Sequence, residues 1–160
     1  MKVTVLIPAF NEGKNIAHTI KGLENVYYNF CQKNQLELDI IVIDDGSRDE
    51  TGKMAREAGV KVIQLESNQG KGNALREGLK YADGEIIMFL DADLRESSEE
   101  AYKLLDPILK GKAHVTIARF KPTEKKKGFG LVKALAYYGV KFFTGKSVTS
   151  SLSGQRAFKR

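Results

Sequence analysis

The chain has 160 residues, of which 42% are hydrophobic and 29% charged, enough for one globular domain with a buried core. Its single cysteine, Cys31, excludes an internal disulfide, and no apolar run reaches the length of about 18 residues that a membrane-spanning helix needs. The first residues run directly into a strand pattern and do not resemble a signal peptide. These features predict a cytoplasmic protein.

The charge of the chain is divided between its two parts. Residues 1–106 carry 13 Lys and Arg against 19 Asp and Glu, whereas residues 107–160 carry 13 against 1, giving net charges of −6 and +12. The second part is therefore expected to meet an anionic partner: nucleic acid, an anionic membrane surface or a phosphorylated substrate. It contains no recognised nucleic-acid-binding motif, so we expect no nucleic acid partner.

Short apolar strands alternate with helical patterns along the chain. Strands are predicted at residues 3–7, ended by Pro8, and at residues 38–43, 60–65, 85–90 and 113–120. Helices are predicted from about residue 15 to 30, from a cap at Ser47 or Asp49 to about Ala58, after a loop over residues 68–72, and after a cap at Ser97 or Ser98. This alternation predicts an α/β sandwich with a mostly parallel central sheet and helices on both faces.

Polar clusters follow four of the predicted strands, at residues 8–12, 44–47, 68–72 and 91–93. Because ligands bind beyond the carboxyl ends of parallel strands, the four clusters are expected at one edge of the sheet. Asp91 and Asp93 follow the strand at residues 85–90, and neighbouring carboxylates repel each other unless a cation lies between them. An isolated pair would more often be a solvated turn, but the clustering favours a site for Mg²⁺ or Mn²⁺.

Two further clusters leave alternatives open. Gly70-Lys71-Gly72 before a helix is suited to binding phosphate, although it is not the P-loop pattern. Asp44 and Asp45 either accept hydrogen bonds from a base or ribose or cap the following helix. In the basic part, Lys125–Lys127 precede an apolar helix pattern up to Phe143, which either lies on an anionic membrane surface or packs as an ordinary core helix.

Five stretches, in order along the chain, resemble motifs of glycosyltransferase family 2. They lie at residues 7–12, 42–49, 70–74, 89–93 and 153–158, and the resemblance is strongest to polyprenyl-phosphate (dolichyl-phosphate) mannose and glucose synthases. The resemblance covers essentially the whole chain. It implies a GT-A fold, a nucleotide-diphosphate sugar donor, Mg²⁺ or Mn²⁺ as cofactor, and inversion at the anomeric carbon.

The resemblance also implies roles for particular residues. A single catalytic domain over residues 1–160 would contain a nucleotide-sugar-binding part at 1–95 and a basic part at 107–160 that faces the acceptor and the membrane. Asp91 and Asp93 would hold the metal, Asp93 and Arg156 would be catalytic, and Arg119 and Arg156 would meet the acceptor phosphate. The donor would be bound by Pro8, Ala9, Phe10, Asn11, Glu12, Asp44, Asp45, Gly46, Lys71, Gly72, Asp91 and Ala92.

Two features depart from the family pattern. Arg95 stands where related synthases tend to have a Gln that helps to hold the metal, and a cation cannot be a ligand, so coordination would depend more on water and phosphate. Family members usually continue with further helix after the last motif. The resemblance therefore implies either a C-terminally truncated chain or a short catalytic domain.

The acceptor is predicted to be a polyprenyl phosphate, used at the inner face of a membrane by a peripherally bound enzyme. Transfer to a hydroxyl needs a general base, and after Asp106 the chain offers only Glu124 and His114. A phosphate is already ionised and needs cations instead. The alternatives are a family member with a hydroxyl acceptor and a non-catalytic module that binds nucleotide sugars or is recruited to membranes.

Overall fold

A computed structural model of the chain describes residues 1–119 and 154–160. Three features of the sequence lie outside the described residues: Glu124, the lysine run Lys125–Lys127, and the apolar helix pattern up to Phe143. Within the part that the structure describes, no helix is long and apolar enough to cross a membrane.

The described residues form one mixed sheet of six strands. The strands are β1 (Lys2–Ala9), β2 (Glu37–Asp44), β3 (Lys61–Gln64), β4 (Ile86–Phe89), β5 (Val115–Ile117) and β6 (Arg156–Lys159). Their spatial order is β3-β2-β1-β4-β6-β5. The first four strands are parallel to one another, and β6 runs antiparallel to both β4 and β5. The prediction of a mostly parallel α/β sheet is confirmed.

Helices cover both faces of the sheet. They are α1 (Ile16–Val26), α2 (Thr51–Glu57), α3 (Lys71–Leu79) and α4 (Tyr102–Leu109), together with a π-helical turn at Tyr27–Cys31, a 3₁₀ turn at Gln32–Asn34 and a 3₁₀ helix at Arg95–Ala101. One core joins α1, α2, α4 and the 3₁₀ helix to one face, and a smaller core joins α3 to the other.

Strand β1 lies between these two cores and contributes side chains to both. Val5 and Ile7 belong to the larger core and Leu6 to the smaller one, and all three are fully buried. Successive side chains of a strand point to opposite faces of the sheet, so a strand covered on both faces must be apolar at nearly every position. The run at residues 3–7 meets this requirement.

The predicted end of the first strand at Pro8 is wrong, because β1 continues to Ala9. Along a parallel strand, alternate residues bond to the two neighbouring strands. The Leu6 carbonyl accepts from Leu90 N on the β4 side, and the Ala9 carbonyl accepts from Asp45 N on the β2 side. Pro8 therefore faces the β4 side beyond that strand's end, where its missing N–H interrupts no ladder bond.

Several other predicted boundaries are also wrong. Ser97 and Ser98 do not cap α4 but lie within the 3₁₀ helix, where the Ser98 hydroxyl donates to the carbonyls of Thr19 at 2.9 Å and Arg95 at 2.6 Å. Lys71 opens α3 instead of lying in the loop before it. The N-cap position of α2 is Glu50, and the third and fifth strands are shorter than predicted. The end of α2 at Glu57, with Ala58 as C-cap, agrees with the predicted end at about Ala58.

Candidate functional site

The four polar clusters do lie along one edge of the sheet, as predicted. The register pairs Ala9 with Asp44, Asp44 with Gln64, and Leu6 with Phe89 across parallel strands, so the residues that follow these strands leave the sheet on the same side. We call this side the carboxyl edge. Ligands of open α/β sheets bind in this position.

Reciprocal hydrogen bonds join the loops that follow β1 and β2. The Asn11 N–H donates to Ser47 Oγ at 2.9 Å, and the Arg48 N–H donates to Asn11 Oδ1 at 2.9 Å. Asn11 has a left-handed φ of +56°, a conformation that Asn tolerates better than most residues. The Glu12 N–H donates to Thr51 Oγ1 at 2.8 Å. Phe10 projects from this joined pair of loops with 41% of its surface exposed.

Asp44 and Asp45 are both buried, and each binds backbone N–H groups. Asp44 Oδ1 accepts from the Ser47 N–H at 2.9 Å. The Asp45 carboxylate accepts from the N–H groups of Gln69 at 2.9 Å and Gly70 at 2.8 Å. Asp45 therefore fastens the loop before α3 to the end of β2, a role that is neither of the two considered from sequence.

Gly46 has to be glycine for two reasons. Its φ of +71° favours glycine, and a Cβ there would lie 2.5 Å from the backbone carbon of Ser67. The chain after β2 therefore passes directly against the loop before α3.

The Asp91 carboxylate is held on both oxygens. Oδ1 forms an ion pair with Lys71 Nζ at the start of α3, and Oδ2 accepts from Gln155 Nε2 at 2.5 Å. Gly154 lies directly over this pair, because a Cβ there would be 2.6 Å from Lys71 Nζ and 2.8 Å from the carboxylate oxygens. The side chain of Asp91 is 28% exposed, so one side of the group remains open to solvent.

Two hydrogen bonds, one buried and one partly buried, hold the loop that contains Ala92 and Asp93. The Thr19 hydroxyl on α1 donates to the Ala92 carbonyl at 2.8 Å and accepts from the Arg95 N–H at 2.8 Å. Asp93 is exposed to solvent. Thr19 was not predicted from sequence; the only signal is a hydroxyl beside Ile16, Ile20 and Leu23 on the apolar face of a helix.

Arg95 extends this network towards the first loop. It has a left-handed φ of +50°, and its Nε donates to Asn15 Oδ1 at 2.7 Å. Asn15 Nδ2 in turn donates to Glu12 Oε2 at 2.6 Å. Arg95 therefore makes a polar connection, through Asn15, between the loops after β4 and β1.

Arg119 and Arg156 lie at the same edge. Strand β6 begins at Arg156, which pairs in register with Phe89 at the end of β4 and with Ile117 at the end of β5. Arg119 follows β5 by two residues and is exposed, and the Ala118 N–H donates to the Gln155 carbonyl at 3.0 Å. Antiparallel β6 therefore brings residues 154–158 of the last motif to the edge where Asp91 lies.

An apolar groove of about 580 Å³ adjoins this position, between the 3₁₀ helix, α4 and β5. Gln155 both lines the groove and binds Asp91, so the groove adjoins the Asp91 carboxylate. Cationic and apolar side chains share its walls, among them Lys103, Arg119, Leu90, Leu94, Leu104 and Ile117.

The carboxylate oxygens of the site fit a hard divalent cation whose coordination shell is completed by other ligands. Within residues 1–119 and 154–160, no group of three or more His, Cys, Asp or Glu side chains could hold a metal ion. Mg²⁺ is commonly bound by one or two carboxylates, with water and substrate phosphate filling the remaining positions. Asp93 offers an exposed carboxylate of that kind, and Asp91 offers a second one whose two oxygens are shared with Lys71 and Gln155.

A mostly parallel sheet with helices on both faces and these loops at its carboxyl edge is the architecture expected of the GT-A fold. The chain belongs to glycosyltransferase family 2, whose family model matches residues 4–159. The resemblance noted from the motifs is therefore confirmed at the level of the family and the fold.

Two similar proteins come from archaea. An uncharacterized protein of Methanocaldococcus jannaschii is 35% identical over 98% of this chain and 64% of its own length. The UDP-N-acetylglucosamine–dolichyl-phosphate N-acetylglucosaminyltransferase of Methanococcus voltae is 32% identical over 99% of this chain and 69% of its own length. This chain therefore spans about two thirds of the length of each relative.

A similar solved structure is glucosyl-3-phosphoglycerate synthase of Mycobacterium tuberculosis, crystallised with Mn²⁺, UDP-glucose and phosphoglyceric acid. It superimposes with a TM-score of 0.77 at 24% identity, over 99% of this chain and 56% of its own chain. At that level of identity the likeness demonstrates a common fold.

Proposed function

We propose that the protein is an inverting, metal-dependent glycosyltransferase that moves a hexose from a nucleotide-diphosphate sugar to a polyprenyl phosphate. The observation that carries this proposal is the Asp91–Asp93 pair at the carboxyl edge, beside Lys71 and the loop after β1. In the transfer, an acceptor oxygen forms a bond to the anomeric carbon while the bond from that carbon to the nucleoside diphosphate breaks. Membership of family 2 supports this reaction class.

Donor binding is assigned to the joined loops. Residues Pro8 to Glu12 and Asp44 hold the base and ribose, while Asp45 and Gly46 keep the loop before α3 against them. Lys71 and Gly72, in the first turn of α3, meet the diphosphate, because the start of a helix offers unpaired N–H groups and a partial positive charge. The position of Lys71 beside Asp91 supports this assignment.

The proposed role of the metal is to assist the departure of the nucleoside diphosphate. Asp91 and Asp93, with Ala92 between them, would hold Mg²⁺ or Mn²⁺, and the ion would neutralise charge on the leaving group. Asp93 is the more accessible carboxylate, which suits it to contact the metal and donor together. The presence of Mn²⁺ and UDP-glucose in the mycobacterial structure supports a divalent ion in this fold.

The acceptor is assigned to the side that carries Arg119 and Arg156. Arg119 lines the groove, and Arg156 begins β6 beside the end of β4, so both lie at the edge where they would meet an acceptor phosphate. Dolichyl phosphate, the acceptor in the name of the M. voltae relative, supports a lipid phosphate. The excess of basic residues in 107–160 suits an anionic membrane surface, and Arg119 and Arg156 are the described members of this part that lie at the carboxyl edge.

Transfer measured with labelled donors tests the proposal. UDP-glucose, UDP-N-acetylglucosamine and GDP-mannose are offered with polyprenyl phosphate, with Mn²⁺ or with a chelator. One donor should yield a glycolipid only with metal, and Asp93→Ala should lower the rate by at least about 100-fold, because a bound metal contributes several kcal/mol to stabilising the leaving group.

The control for that assay is Asp83→Ala, which removes an exposed carboxylate at the opposite edge of the sheet and leaves the proposed site intact. Full activity of Asp93→Ala in chelator would overturn the proposal. Donor binding without transfer or hydrolysis would instead support the non-catalytic module.

A further inference from the structure

We propose that Thr19 is a positioning residue that fixes the Asp91–Asp93 loop for metal binding. The proposal rests on the proposed function, because it concerns the same two carboxylates. Thr19 belongs to α1 and touches neither carboxylate through a described hydrogen bond. It acts through the backbone of the loop that carries them.

The Thr19 hydroxyl makes two bonds with good geometry. It donates to the Ala92 carbonyl at 2.8 Å and accepts from the Arg95 N–H at 2.8 Å. A hydroxyl is the smallest side-chain group that can donate and accept at once. The two backbone groups that it joins lie on either side of Asp93, so the hydroxyl closes the loop around that residue.

The loop has a conformation that needs such support. Arg95 has a φ of +50°, in the left-handed region that residues with a Cβ rarely occupy. Such a residue persists only where its surroundings hold it in place. Thr19 binds the backbone of Arg95, and Asn15, also at the start of α1, binds its side chain.

Thr19 is itself rigidly placed. Its exposed fraction is 0%, and its carbonyl accepts from the Ser98 hydroxyl at 2.9 Å. Gly22, one turn later on α1, allows the 3₁₀ helix to come this close, because a Cβ there would lie 2.1 Å from Ser98 Oγ. Helix α1, the carboxylate loop and the 3₁₀ helix thus meet at one buried hydroxyl.

The two carboxylates depend on Thr19 to different extents. Asp91 is held by Lys71 and Gln155 through its side chain. The Asp93 carboxylate is exposed and has no hydrogen bond with any residue in the described ranges, so its position follows from its backbone alone. Loss of the hydroxyl should therefore release Asp93 first.

The test uses two variants that separate the hydroxyl from the bulk of the side chain. Thr19→Val keeps the shape and removes the hydroxyl, and Thr19→Ser keeps the hydroxyl and removes a methyl group. Thr4→Val is the matched control: Thr4 is equally buried, and its Oγ1 accepts from the Gly84 N–H at 3.0 Å at the other edge of the sheet.

The readouts are Mn²⁺ affinity in the presence of UDP, by calorimetry, and hydrogen exchange of peptides that cover residues 90–97. We expect Thr19→Val to bind Mn²⁺ about tenfold more weakly, the usual effect of removing a group that orients a metal ligand. Exchange at the Arg95 amide should accelerate. Thr19→Ser should stay within about threefold of the parent chain, and Thr4→Val should match the parent even where its melting temperature falls equally.

Each outcome decides the matter. Parent-like Mn²⁺ affinity and exchange in Thr19→Val would overturn the inference alone, whereas a parent chain that binds no Mn²⁺ with UDP would overturn the proposed metal site with it. Equal losses in Thr19→Val and Thr19→Ser would show that packing, not the hydroxyl, is responsible. If Thr19→Val does not fold, Thr19→Ala replaces it in the same comparison.

Discussion

Gly154 has almost no free space around it at the carboxylate pair. A Cβ at this position would lie 2.6 Å from Lys71 Nζ and 2.8 Å from both Asp91 oxygens, closer than a Cβ atom approaches its neighbours. Lys71 has a flexible side chain, so the chain can still fold if the ammonium group moves away. The ion pair, however, could not keep its present geometry.

We therefore predict that Gly154→Ala weakens Mn²⁺-dependent UDP binding about tenfold, as other disturbances around a metal ligand do, while the free energy of unfolding changes little. Calorimetric titration and urea unfolding measure the two quantities. The control is Gly111→Ala, whose φ of +66° makes a side chain strained but whose surroundings are empty. That variant should lose about 1 kcal/mol of stability and bind UDP normally. Normal binding by Gly154→Ala would contradict the role given to this contact.

At the scale of single residues, the sequence predicted where the polar loops lie better than what supports them. Asp91 and Asp93 could be placed at the carboxyl edge because they directly follow an apolar strand within one short stretch. The role of Asp45 could not, since its partners Gln69 and Gly70 lie on a different loop. Thr19 binds residues more than 70 positions away, and only the fold brings them together.

At the scale of elements, the start of α2 is fastened to the loop after β1 by one carboxylate. Asp49 Oδ2 accepts from the Gly13 N–H at 3.0 Å, and Oδ1 accepts from the Thr51 N–H at 3.0 Å and from the Thr51 hydroxyl. Burial raises the pKa of Asp49, but the hydrogen bonds from Thr51 and Gly13 outweigh it and lower that pKa below its ordinary value of 3.8. The charged form is therefore favoured by folding.

The sign of the resulting pH dependence follows from this lowered pKa. A carboxyl group with a lower pKa in the folded state stabilises the fold above its unfolded pKa, and that stabilisation is lost as the pH falls through the folded value. We predict that the free energy of unfolding declines below about pH 4, and that Asp49→Asn declines less steeply. Urea unfolding between pH 5.5 and 3 measures both slopes, with the exposed Glu66→Gln as control. Identical slopes for Asp49→Asn and the parent would contradict the assignment.

Strand positions were easier to predict than helix ends, for a physical reason. A strand buried on both faces must be apolar at nearly every position, which is visible in residues 3–7, where only Thr4 is polar, and in residues 86–90. A helix end depends on which partner its side chains find. The Ser98 hydroxyl binds the carbonyls of Thr19 and Arg95 instead of an N–H of the next turn, and the first of these belongs to α1. Such competition cannot be read from local sequence.

At the scale of the whole molecule, the division of charge along the chain matches the donor and acceptor parts of the site that we propose. The acidic part supplies the strands β1 to β4 and the carboxylates of the proposed donor site, whereas the basic part supplies Arg119 and Arg156. An anionic donor held by a metal and an anionic acceptor would repel each other unless cations lay on the acceptor side. The mixed sheet allows this arrangement, since antiparallel β6 returns a basic segment to the edge where β4 ends.

The position of His114 bears on the choice of acceptor. Transfer to a neutral hydroxyl needs a group that takes its proton during attack. The Lys159 N–H donates to the His114 carbonyl, and Lys159 pairs in register with Ile86 at the beginning of β4. His114 therefore lies at the edge opposite the carboxylate pair. Asp106 forms an ion pair with Lys110 on α4, and Glu124 is outside the described residues.

We predict that the acceptor is a phosphate that is already ionised, because such a group needs cations and no base. The labelled donor is offered with Mn²⁺ to three acceptors in parallel: polyprenyl phosphate in anionic liposomes, the same lipid in zwitterionic liposomes, and soluble sugars and polyols. Transfer should occur only to the lipid phosphate, faster in anionic liposomes, and added salt should remove that advantage because it screens charge beyond about 10 Å at 0.1 M. Arg119→Gln should raise the KM for the lipid while leaving the KM for the donor unchanged. The control is Lys61→Gln on the edge strand β3, which removes a cation that lies over the Tyr81 ring and should change neither KM.

Transfer to a neutral hydroxyl with none to the lipid phosphate would overturn this prediction and favour the hydroxyl-acceptor alternative. Equal rates in both kinds of liposome would reject the anionic membrane surface while leaving the lipid phosphate in place.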